Sequence, residues 1–208
     1  MNKKQLLIFI TFIIVGAFGE SLNYVANVGV SPYEALALTL NYITHIEVGT
    51  IAFSLNCLFI VLQLLFLRKI KVSVLLQIPV CFLQSLVINF FTYNVLGGLT
   101  LNYPMRIVLL FIGLTISAIS LGMVLSVAVV VFPLEGFLTL FADKFHLNFA
   151  KLRQIVDVVL VVICVALSFF LKLDFAIREG TIIAAMIYSP IMGYTMKKFK
   201  EKFPEGIK

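Results

Sequence analysis

The residues of this chain that could do chemistry are few and widely separated: Glu34, Asn56, Glu135, Arg153 and Asp157, all set in long apolar surroundings. Charged and amide groups in such settings are costly, and they usually face a partner or a water-filled cavity. Arg153 and Asp157 stand four residues apart, so on a helix they share a face and can pair. Two roles are open to the pair. It can be structural, with Arg153 snorkelling towards an interface, or Asp157 can handle a proton or a solute. Asn56 suits interhelical hydrogen bonding. Glu20, Asn23, Gln77 and Gln84 form a second rank. Glu20 and Asn23 lie near the end of the first apolar run and could reach a cavity or simply water. Gln77 and Gln84, seven apart, share one helical face directed inward.

Enzyme motifs are missing from the sequence. It contains no HExxH, GxSxG, Walker loop or GxGxxG, and no clustered Cys/His set. Cys57, Cys81 and Cys164 all fall in apolar runs without ligand spacing and read as small buried hydrophobes. His45 and His146 sit at loop ends and do not read as metal ligands. The expectation is a protein that binds rather than catalyses, without a cofactor or a metal.

The elements that must position these residues are membrane helices. Of 208 residues 62% are hydrophobic and only 12% charged, too few to cover a soluble core of this size. Runs of about 20 apolar residues match a hydrocarbon slab of roughly 30 Å. Six can be marked, at 5–27, 48–67, 72–92, 105–131, 149–171 and 180–196. The first is too long for a signal peptide's apolar segment and is followed by no persuasive cleavage site, so it reads as a retained helix. With a cytoplasmic N-terminus, thirteen Lys and Arg residues fall on the inner side and only Arg106, Lys172 and Arg178 on the outer. That is a strong positive-inside bias and places both termini in the cytoplasm. The net charge of +6 is therefore a topology signal that requires no nucleic-acid partner, and the basic tail over 197–208 can touch lipid headgroups.

Shifting the sequence by 101 residues lays Pro32 on Pro133, Glu34 on Glu135, His45 on His146 and Asn56 on Asp157. Such a duplication, with three spans in each copy, makes two inverted repeats, about 5–93 and 105–197, of a single membrane domain. The fold class expected is an all-α polytopic membrane protein: six spans in two inverted repeats, each with a short Pro-started helix after its first span. Ser31 as N-cap, Pro32 at the first helical position and Glu34 in a capping box start the first short helix, which runs to about Ile43. Its counterpart runs from Pro133 to Phe145, with Leu134, Phe137, Leu138, Phe141 and Phe145 on one face and Glu135, Thr139 and Asp143 on the other. Each is about half a bilayer long. Two placements compete: an amphipathic helix flat at the interface, or a re-entrant half-helix pointing at a mid-membrane cavity.

The segments "NVGVSPYEALALTL" and "HIEVGT" resemble the N-x-G-x-S-P-W-D stretch and following Gly-Thr turn of the YczE-like proteins. These belong to the YczE/YyaS/YitT group of bacterial integral membrane proteins. "FPLEGFLTLFADKFHLNFAKLRQIVD" and "REGTIIAAMIYSPIMG" are similar to that family's later motifs, and the resemblance spans roughly residues 10 to 197. Tyr33 stands where the family has Trp, Glu34 and Glu135 where it has Asp, and Phe132 and Ser189 where it has Gly. The resemblance implies a multi-pass protein of the bacterial plasma membrane. The functional expectation is a small-solute transporter working by alternating access between the repeats. Glu34, Asn56, Glu135, Arg153 and Asp157 would line its cavity, with membrane lipid, an unspecified solute and a second copy in a homodimer as partners. Two alternatives stay open: a non-transporting accessory protein, and the substrate-binding subunit of a vitamin-type transporter.

Overall fold

Each apolar run folds as a helix, the backbone form that satisfies every N–H and C=O within one segment. The computed structural model describes residues 3–127 and 130–202, and all its regular elements are helical. They are α1 (Lys3–Ala26), α2 (Pro32–Thr44), α3 (Val48–Leu67), α4 (Val72–Leu75), α5 (Gln77–Asn89), a π-helical continuation of α5 (Phe90–Val95), α6 (Tyr103–Val127), α7 (Pro133–Phe145), α8 (Phe149–Leu171) and α9 (Glu179–Lys202).

Five stretches are long and apolar enough to cross a membrane: Gln5–Ala26, Val48–Leu67, Val72–Val95, Tyr103–Ser126 and Lys151–Leu171. They are consistent with a multi-pass membrane protein. The sixth expected run does form a long helix, α9, but Ser189, Pro190, Tyr194 and its closing lysines leave it less apolar than the other five. The third run, expected as one piece, is broken at Leu76. Pro79 explains the break: it has no N–H to give the Leu75 carbonyl, and its ring crowds that group. The end expected for the fourth run, 128–131, lies partly outside the described residues, and α6 ends at Val127.

The 101-residue offset recurs in the backbone. Pro32 and Pro133 each open a helix of 13 residues. His45 and His146 each follow such a helix in the left-handed conformation, with φ 58° and 53°. Val48 and Phe149 then each begin a long helix. A left-handed non-glycine residue is uncommon, so its recurrence at matched positions marks the same helix–turn–helix hairpin built twice.

The chain packs as two units, neither coinciding with a sequence half. One gathers residues 3–31, 86–127 and 178–202, hence α1, the end of α5 with its π-helical continuation, α6 and α9. Small residues bring its helices close. A Cβ on Gly19 would sit 2.8 Å from the Ser117 nitrogen and 2.9 Å from the Gly113 carbonyl, and one on Gly122 would sit 2.7 Å from the Met192 carbonyl. Leu110, Leu114, Ala26, Val28 and Ala184 form its core. The carbonyls left over at the end of α1 are collected by donors of this unit: Arg106 Nη1 on Ala26 O at 3.3 Å, Arg178 Nη1 on Asn27 O at 3.0 Å, and the Gly180 amide on Val28 O at 2.8 Å.

The other unit gathers Pro32–Ser85 and Val130–Ile177. Within it each short helix packs on its own hairpin partner and also on the long helix of the other hairpin: α2 on α3 and α8, α7 on α8 and α3. The short helices lie alongside the long ones, not across their ends. Ala35, Ala37, Leu38 and Thr39 of α2, and Pro133, Leu134, Leu138 and Ala142 of α7, are buried in these contacts.

Candidate functional site

The polar residues of this second unit collect around the first turns of α2 and α7. Helix α3, with 20 residues, is about 30 Å long. Tyr33, the second residue of α2, donates its hydroxyl to Asn56 Oδ1 at 3.0 Å and packs its ring 6.3 Å from Phe59. Both partners lie near the middle of α3. A 13-residue helix folded back along α3 from the turn at 45–47 climbs about 18 Å, which reaches the same level. Helix α7 arrives there too, because Phe137 stands 6.0 Å from Phe59 on the opposite approach. Farther along, Phe66 meets Phe137, Phe141 and Phe145 at 6.1, 5.9 and 6.4 Å, and Lys144 lies 4.4 Å over the Phe66 ring. Both short helices therefore start at mid-length of α3 and run outward from it.

At the start of α7 two polar groupings meet. Gln63, 2% exposed on α3, donates Nε2 to Gln77 Oε1 at 2.9 Å and to the Pro133 carbonyl at 3.0 Å, and Gln77 returns a bond to Gln63 Oε1 at 3.3 Å. The Gln63 amide fits beneath Gly136, where a Cβ would come within 2.8 Å of Oε1, so a side chain at 136 would displace it. On the other side, Arg153 Nη1 binds Glu135 Oε1 at 2.8 Å while its Nε binds Asp157 Oδ2 at 3.2 Å. All three side chains are about 70% covered by protein, and Arg153 and Asp157 stand in line with Leu160, Cys164 and Ser168, the buried stripe of α8. Asp157 Oδ1 is shut from solvent and receives no hydrogen bond from a described residue.

The predicted site residues thus divide. Glu135, Arg153 and Asp157 come together, with the expected i, i+4 pair extended to a third member across the α7–α8 turn. Asn56, at the position matching Asp157, is bonded instead by Tyr33. Glu34 is half-buried in the first turn of α2, and the position matching Arg153 in its hairpin is Ala52, so the first hairpin lacks the guanidinium of the second. Gln77 pairs with Gln63, while Gln84, two turns along α5, is half-buried outside that pair. Glu20 and Asn23 belong to the first unit. Asn23 does not reach water: it is fully buried where α1 approaches Gly113, and its amide makes no hydrogen bond to a described residue.

Sequence reasoning passed over Gln63 and gave Tyr33 no partner. For Gln63 a signal existed, since it stands seven residues after Asn56 and so on the same face of one apolar run. Among the described residues no group of three or more His, Cys, Asp or Glu could hold a metal ion. An open cleft of about 450 Å³ lined by Asn41, Tyr42, His45, Lys172, Leu173 and Asp174 includes none of the candidate residues. Comparison with curated proteins and with solved structures returns no match. One family model matches residues 3–197, nearly the whole chain, and the protein therefore belongs to DUF6198, a family of unknown function.

Proposed function

We propose that this protein is a small-solute transporter of the bacterial plasma membrane, working by alternating access between two inverted repeats. In this reading α9 is the sixth span, both termini are cytoplasmic, α2 and α7 are re-entrant half-helices, and the YczE-like proteins are its wider relatives. The observation that carries it is the convergence of two sequence-matched short helices, with a charged triad at one of them, at mid-length of α3. Irregular backbone and charge at mid-membrane depth are tolerated where protein or a cavity covers them, and transporters place binding sites there. Partners in this reading are lipid, a small solute and a second copy of the chain, with no catalysis and no nucleic acid.

The test is reconstitution into liposomes, with a panel of solutes assayed with and without a proton gradient, and repeated with Asp157→Asn. The expected result is gradient-dependent uptake of at least one solute, lost in the variant. Flux equal to that of empty liposomes across the panel would leave a non-transporting accessory role in its place. Retained flux in the variant would remove Asp157 from the cycle.

A further inference from the structure

We infer that Glu135, Arg153 and Asp157 form a single proton-binding centre, and that the proton it holds is the coupling ion of the transport cycle; the second half of this inference rests on the transporter reading. The first half stands on charge and geometry. One guanidinium lies between two carboxylates, at 2.8 and 3.2 Å, so the triad carries one uncompensated negative charge.

The elements packed around it supply no compensation. Helix α3 meets the start of α7 with neutral Gln63, which in turn bonds neutral Gln77 of α5. Helix α2 has no cation, and its one acid is Glu34 in the first turn. On α7 the further charges are Asp143 and Lys144, both exposed near its other end, with Lys144 over the Phe66 ring. On α8 the other cation is Lys151, exposed in its first turn. Among the described residues no second Lys or Arg forms an ion pair with Glu135 or Asp157. An excess negative charge about 70% covered by protein raises the affinity of its carboxyls for a proton.

The consequence is mechanical. With the proton on Glu135, Arg153 serves Asp157 alone, within α8; with the proton on Asp157, it holds Glu135 and ties α7 to α8. Proton position therefore sets whether the short helix is latched to the long one. The proton is taken from water on one side and returned to water on the other, so nothing else is consumed. Because the acids share one cation, their titration belongs to the pair and not to either residue.

The test is an infrared pH titration of the full chain in lipid nanodiscs, reading the carbonyl stretch of protonated carboxylic acid, with helical circular dichroism as the folding check. The wild type should show one such acid per chain at neutral pH, disappearing on alkaline titration. Glu135→Gln and Asp157→Asn should each abolish it, since either leaves one acid for one guanidinium, and Glu135→Asp should retain it. An acid signal that persists in either neutral variant, or one missing from the wild type, overturns the inference. If one neutral variant fails to fold, the other and the wild type still decide. The liposome assay separates the two claims. A titrating triad without solute flux sinks the transport reading and leaves the proton centre, whereas flux with no titrating acid does the reverse.

Discussion

Replacing Gln63 by methionine tests whether the first turn of α7 is pinned by a buried amide pair. Methionine nearly matches glutamine in shape and fills irregular space well, so what changes is hydrogen bonding. The substitution strips Gln77, 4% exposed, of both its donor and its acceptor, and takes the side-chain donor from the Pro133 carbonyl. A buried polar group left without a partner costs about 1–3 kcal/mol. Hydrogen bonds between membrane helices measure lower, about 0.6 kcal/mol on average, because a chain unfolded in lipid finds other partners. The two figures place Gln63→Met at about 1–3 kcal/mol.

Gln77→Met should cost less, about 1 kcal/mol, because Gln63 keeps its bond to Pro133. The double variant leaves only that carbonyl short of a donor, so it should cost no more than about 1 kcal/mol, and the pair should couple by about 1–3 kcal/mol. Reversible unfolding in mixed micelles, followed by circular dichroism over the full double-mutant cycle, reads this directly. Additivity of the two single changes to within about 0.5 kcal/mol would refute the pinning argument.

Gly29→Ala should destabilise by more than about 2 kcal/mol in the same assay, because φ is +116° and the new Cβ would meet the Thr181 backbone nitrogen at 2.6 Å; a change below about 0.5 kcal/mol would contradict the close approach. Gly193→Ala, inside α9 with nothing within 4 Å of the added carbon, should instead stabilise by about 0.5–1 kcal/mol, and a loss of stability would speak against the open packing there. Arg153→Met should cost about 2–3 kcal/mol, below the 3–5 of a fully buried broken pair because the triad is only partly covered; it should also exceed Asp157→Asn, which leaves one acid with one cation, and the reverse order would be incompatible with a shared guanidinium. Tyr103 donates to Glu179 at 2.7 Å, and that hydrogen bond holds the exposed Glu179 carboxyl below the usual glutamate range. A depressed carboxylate stabilises fully above its unfolded value and loses the contribution as pH falls through its folded value. Tyr103→Phe should therefore flatten the acid limb of a Tm-against-pH curve, and an unchanged limb would count against the bond.

How far the sequence reaches depends on the range over which each signal acts. Local composition sets helix ends, so runs 48–67 and 149–171 match α3 and α8 to the residue, and Pro133–Phe145 matches α7. The break at Leu76 was equally local, since Pro79 excludes a partner for the Leu75 carbonyl. The π-helical stretch Phe90–Val95 left no trace, because its residues are as compatible with α-helix as with the wider turn. Arg153 with Asp157 was legible from an i, i+4 spacing, but Glu135 is eighteen residues from Arg153 and comes into reach only when α7 folds back along α8. Asn23 shows the opposite failure: polarity near a helix end suggested water, and the glycines that close α6 over it decided otherwise.

What no local signal could give is which hairpin covers which, and that is where the two halves become one protein. A 13-residue helix starting at mid-length of a 20-residue one brings its first turn beside that helix's apolar middle. The hairpin partner covers one flank only. For α2 the remaining flank is covered by α8, and for α7 by α3, so each short helix is completed by the other half of the sequence. Polar groups covered by apolar neighbours need partners within the protein, and the two starts meet this differently: Tyr33 and Asn56 by one neutral hydrogen bond, Glu135 and Asp157 by a shared cation. A neutral bond responds little to a proton, whereas a guanidinium with two acids has two arrangements of similar geometry. The two matched hairpins therefore hold one start by uncharged contacts and the other by an ion-paired triad. On the proposal above, proton sensitivity is confined to the α7–α8 hairpin, the one of the two that carries the shared guanidinium.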